Sequence, residues 1–99
     1  MKKGTITTHL WDAAAHLETE QDMAQYLEAA LEEKDPALIA AVLGDIARAK
    51  GMAQIAEKTG LGRTSLYKAL SPDGHPEFET ILKVVDALGL EFCVVPIKA

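Results

Sequence analysis

In the stretch MAQIAEKTGLGRTSLYKALS, residues 52–71, Arg63, Thr64, Ser65, Tyr67 and Lys68 form a short polar row. Their types suit recognition rather than covalent chemistry. A guanidinium can bond the edge of guanine through two donors, and Ser or Thr hydroxyls reach base edges or phosphates. Such a row works only if one rigid face presents it. Ile55, Leu61, Leu66 and Ala69 supply an apolar inner face, and Ala56 is small enough for two helices to cross closely. Gly60 falls at the break, where the backbone is expected at positive φ. The spacing predicts two helices joined by a tight turn, the arrangement whose second helix enters a major groove. Lys50 and Lys58 flank this unit and suit phosphate contacts, which govern salt dependence. Gly51 opens the first helix, leaving free N–H groups that suit a phosphate.

The overall charge has the wrong sign for such a partner. The chain of 99 residues carries a net charge of −5. Its distribution resolves part of the conflict. Residues 1–35 hold three bases against eight acids, residues 36–99 hold seven of each, and residues 48–70 hold five bases against Glu57 alone. The basic cluster coincides with the polar row, so local charge is a better guide than the net value. The acidic front suits a basic protein partner, since opposite fields speed encounter and select the partner. A solvated helix face would carry the same acids. Glu18, Glu20 and Asp22 are the candidate contacts for that partner, together with Trp11. Trp11 and Tyr26 are expected as packing anchors for the front helices; the alternative for Trp11 is an interface hot spot, where tryptophan is enriched.

The elements that must position these residues are mostly helical. A chain of this length makes one small domain, divided into an acidic helical part (1–35), a helix-turn-helix core (36–89) and a C-terminal strand (90–97). Leu10, Ala13, Ala14 and Leu17 outline a short helix over 9–17. Thr19 with Asp22 forms a capping-box-like start for a helix carrying Met23, Leu27, Ala30 and Leu31. Asp35 followed by Pro36 is an N-cap and first-turn pair, and Gly51 ends that third helix. After the turn-rich SPDGHP, Pro76 is expected to start a last helix with Phe78, Ile81, Leu82, Val85 and Leu88 inward and Gly89 at its end. The fold class is therefore mainly α, five to six short helices followed by one β-strand.

That strand is read from LEFCVVPI, residues 90–97, which is rich in branched and aromatic residues. Leu90, Phe92 and Val94 alternate on one side, with Cys93 and Val95 on the other. A lone strand needs a ladder partner. Pairing with a second copy across a two-fold axis makes these five residues a dimer interface. Folding back on the chain's own helices, or pairing with residues 4–8, are the alternatives.

Other chemistry finds little support. His9, His16 and His75 are scattered away from Cys93, so neither a structural metal site nor a cofactor is expected. Asp12 and His16 lie one helical turn apart without a nucleophile, and no enzyme is expected. One cysteine excludes an internal disulfide and fits the cytoplasm. The start MKKGTITTHLWD lacks the apolar run of a signal peptide, and no stretch approaches the ~20 apolar residues of a membrane span.

Taken in order, DAAAHL (12–17), YLEAAL (26–31), LGDIARAKGM (43–52), GLGRTSLYKALS (60–71), GHPEF (74–78) and TILKVVDALG (80–89) resemble the bacterial addiction-module antidote proteins, antitoxins with a Cro/repressor-type helix-turn-helix. The chain departs from that pattern at His75, where asparagine is usual, and at Lys50, where arginine is common. The resemblance implies two activities: neutralising a small basic toxin of the RelE/ParE kind, and repressing the shared operon by binding operator DNA. The competing reading is a protein–protein interaction module whose helix-turn-helix no longer binds DNA.

Overall fold

The computed structural model describes residues 17–97. Among the described residues five helices follow one another: α1 (Glu20–Glu32), α2 (Pro36–Lys50), α3 (Met52–Thr59), α4 (Arg63–Ala69) and α5 (Phe78–Ala87). The short helix expected over 9–17 lies outside the described residues except for Leu17, which is buried.

Local chemistry sets most of the boundaries. The Thr19 hydroxyl accepts from the Asp22 N–H at 3.1 Å, and the Asp22 carboxylate accepts from the Thr19 N–H at 3.2 Å. This reciprocal pair satisfies N–H groups that the first turn leaves without partners. Asp35 caps α2 through the Ala37 N–H at 3.1 Å, with Pro36 in the first turn. At the end of α5, the Gly89 N–H reaches the Asp86 carbonyl at 3.0 Å and the Leu90 N–H reaches Val85 at 3.1 Å. That is a Schellman closure, and Gly89 at φ +81° supplies its left-handed residue.

The core draws on every helix. α1 packs on α2, α2 on α3 and α5, and α3 on both α4 and α5. Leu43, Ile46, Ile55, Leu66, Leu70, Val84 and Leu88 are fully enclosed. Burying one such side chain stabilises the fold by roughly 1.5–3 kcal/mol. One close approach fixes α4 against α2. A Cβ on Gly44 would stand 2.3 Å from the Leu70 carbonyl oxygen, so only glycine lets the end of α4 approach α2 this closely. Tyr26 ties α1 to α2 by donating its hydroxyl to Asp45 at 2.9 Å. Burial, followed by that bond to a carboxylate, pushes the phenol above its ordinary range.

Two expectations need correction. The C-terminal strand is absent: residues 91–97 take no regular secondary structure, and no strand occurs among the described residues. Branched residues favour an extended backbone, but a strand exists only through a ladder, and among the described residues, which do not include 4–8, nothing pairs with this segment. The second correction is to α5, which starts at Phe78 rather than Pro76 because the turn runs on through Glu77, its N-cap. The face of α5 is also rotated. Val85 and Leu88 point inward as expected and Ile81 packs half-buried against the core, but Phe78 and Leu82 are exposed, and Val84 and Ala87 take the inward positions instead.

Candidate nucleic-acid interface

α3 and α4 are joined by residues 60–62. Gly60 sits at φ +76°, ψ +9°, and its N–H closes on the Ala56 carbonyl at 2.9 Å. This is the left-handed residue that the sequence placed there. Thr59 strengthens the bend in a way the sequence reading missed. Its hydroxyl donates to the Ile55 carbonyl at 2.8 Å and accepts from the Leu61 N–H at 3.3 Å. A threonine immediately before a helix-ending glycine was the available signal. Ser71 plays a matching part at the exit of α4, donating to the Lys68 carbonyl at 2.8 Å.

Ile55 and Leu66 are fully buried, Ala56 is buried at the crossing, and Leu61 and Ala69 are half-buried. With the inner face taken up, Arg63, Thr64, Ser65, Tyr67 and Lys68 are all exposed, as is Lys58 on α3. Among the described residues, no carboxylate forms an ion pair with Arg63, Lys68 or Lys58. Neither α3 nor α4 has a side-chain N-cap, since Gly51 and Gly62 occupy those positions. Their first-turn N–H groups are therefore open to other acceptors.

Lys50 departs from this picture. Its ammonium lies 2.8 Å from a carboxylate oxygen of Glu20, and its side chain is only 23% exposed. The hydrogen bond from Lys50 holds the Glu20 carboxyl below its usual range. A residue expected to meet phosphate is thus already paired to the first turn of α1. Arg48, half-exposed on the same end of α2, is bound to Asp45.

The candidate partner-binding acids are also partly engaged. Asp22 is held in the cap of α1, accepting from the N–H groups of Glu18 and Thr19. Glu20 is paired with Lys50, and Glu18 is exposed with its carboxylate unengaged among the described residues. Trp11 lies outside the described residues. Glu28 and Glu32 on α1 and Glu33 at its C-cap also face solvent, with no ion-pair partner among the described residues; the sequence reading did not single them out. Of the candidate dimer residues, Leu90 is half-buried against the core, whereas Phe92, Cys93, Val94 and Val95 are exposed, Val94 almost completely.

The chain thus presents a helical unit with an exposed row carrying Arg63 and Lys68 and an acidic front. A family model described as probable addiction module antidote protein matches residues 7–96. The chain belongs to that family. An uncharacterised protein of Haemophilus influenzae (strain ATCC 51907 / DSM 11121 / KW20 / Rd) is 49% identical over 84 residues, covering 85% of this chain and 87% of the relative. No solved structure matches the chain. An antidote implies a toxin as partner. No described helix is long and apolar enough to cross a membrane.

Proposed function

We propose that this chain is the cytoplasmic antitoxin of a type II toxin–antitoxin module, neutralising a small basic RelE/ParE-like toxin and repressing its own operon. In this reading α3, the turn and α4 are a Cro-type helix-turn-helix, with α4 as the recognition helix. The observation that carries the DNA half is the exposed row Arg63, Thr64, Ser65, Tyr67 and Lys68, without an ion pair among the described residues, on a helix braced by Gly44, Gly60 and Thr59. Arg63 reads a base edge, Lys68 and the hydroxyls bond bases or phosphates, and Lys58 contacts the backbone. Lys50 joins them only after leaving Glu20. The protein acts as a homodimer through the apolar side chains Val94 and Val95 of the tail, continued by Ile97, so that two copies of α4 meet a palindromic operator.

The toxin half rests on family membership and on the acidic charge of α1. The test is co-expression with the product of the reading frame beside this gene. Growth arrest by that product alone, relieved by this chain, supports the reading. Arrest that this chain does not relieve removes it.

A further inference from the structure

A groove of about 390 Å³ runs between α1 and the segment following α5. Ala24, Leu31, Leu90 and Phe92 make it largely apolar, and Glu28 and Glu91 stand in its lining. Both carboxylates belong to exposed residues, and neither has an ion-pair partner among the described residues. The walls are acidic well beyond these two. Residues 17–33 contain six acids and no base, and residues 86–97 contain two acids and no base. An apolar floor between unneutralised carboxylates repels phosphate and fits an apolar ridge flanked by Lys or Arg, because complementary charge selects the partner while apolar contact holds it.

From this geometry we infer that the groove between α1 and residues 89–93 is the docking site for a basic, apolar segment of the toxin. The inference rests on the antitoxin reading and relocates its contact surface. Asp22 and Glu20, two of the acids expected there, are engaged in the α1 cap and in the pair with Lys50. Glu28 and Glu91 take their place. α4 packs on α3 and contributes nothing to this groove, so a variant that blocks one surface leaves the other intact.

Cys93 lines the groove, is exposed, and is the chain's one cysteine, which makes its thiol a built-in reporter. The probe is the toxin expressed from the neighbouring reading frame. Its affinity is measured for the wild-type chain, for Glu28→Lys/Glu91→Lys, and for the equal charge reversal Glu77→Lys/Glu79→Lys at the N-cap and first turn of α5, with thiol reactivity and operator retardation followed in parallel. The expected result is a loss of about tenfold or more in toxin affinity for the groove pair and little change for the control pair. Operator binding is unaltered in the groove pair, and Cys93 reacts more slowly in the wild-type complex than in the free chain. If the wild-type chain binds the toxin, but the groove pair binds equally well and Cys93 stays reactive in the complex, the groove assignment alone is overturned. Shielding of Cys93 before toxin is added means that the chain's own residues 1–16 or a second copy fills the groove, which also overturns it. A wild-type chain that does not bind the toxin removes the antitoxin reading and this inference together.

Discussion

The Lys50 ammonium and the Glu20 carboxylate meet at 2.8 Å although thirty positions separate them in the chain. Lys50 closes α2 next to the proposed DNA-binding unit, and Glu20 opens the helix that carries the acidic charge. One ion pair therefore links the two oppositely charged parts of the molecule. A nearby DNA phosphate would compete with Glu20 for the same ammonium.

Replacing Glu20 by Gln should free Lys50. Operator affinity should rise at low salt, and the dependence of log K on log salt should steepen by about one phosphate contact. Filter binding at several salt concentrations measures both. An unchanged slope would show that Lys50 does not reach the backbone even when released.

The same pair sets a pH dependence. Glu20 has a folded pKa below its ordinary 4.5, chiefly through the hydrogen bond from Lys50. A depressed carboxyl pKa stabilises the fold above the unfolded value, and that contribution is lost as pH falls through the folded value. The difference in Tm between wild type and Glu20→Gln should therefore be present at neutral pH and shrink as pH drops below about 4.5. Thermal melts across that range check it, and a difference that grows on acidification would contradict the assignment.

Gly44→Ala should destabilise the protein by about 1–3 kcal/mol, since the added methyl meets the Leu70 backbone and α4 or α2 must shift. Urea unfolding gives the number. Because the shift would move α4, operator binding should weaken at protein concentrations where the variant is still folded.

Arg63→Ala should cost about 1–3 kcal/mol of operator affinity and relax the preference at one base position if its guanidinium bonds guanine through two donors. Stability should hardly change, because Arg63 is exposed and unpaired among the described residues. Lys58→Ala should instead weaken binding to all sequences alike. Competition with a set of single-base operator variants separates the two behaviours.

What the sequence revealed was mostly local. The Thr19–Asp22 cap, the Asp35–Pro36 start, and the glycines at 51, 60 and 89 depend on residues within one turn of each other, and each is found where it was read. The outward row on α4 was legible for a related reason, since Leu66 leaves little choice about which face is inner. The face of α5 was not, because FETILKVVDALGL has apolar residues on most sides and periodicity alone could not rank Phe78 against Val84. The expected strand failed because strand formation depends on a distant partner rather than on branched side chains. The engagement of Lys50 and the floor of the groove are likewise contacts between segments far apart in the chain, which no spacing rule encodes.

The central question is whether α4 reads DNA. The decisive measurement is a gel-shift titration of the DNA upstream of this gene with the wild-type chain and with an Arg63→Ala/Lys68→Ala double variant shown by circular dichroism to be folded. If α4 is the recognition helix, the wild type gives a retarded complex that weakens steeply with added salt, and the double variant binds with an affinity lower by about tenfold or more. No retardation by the wild type, or equal retardation by the folded double variant, would contradict it.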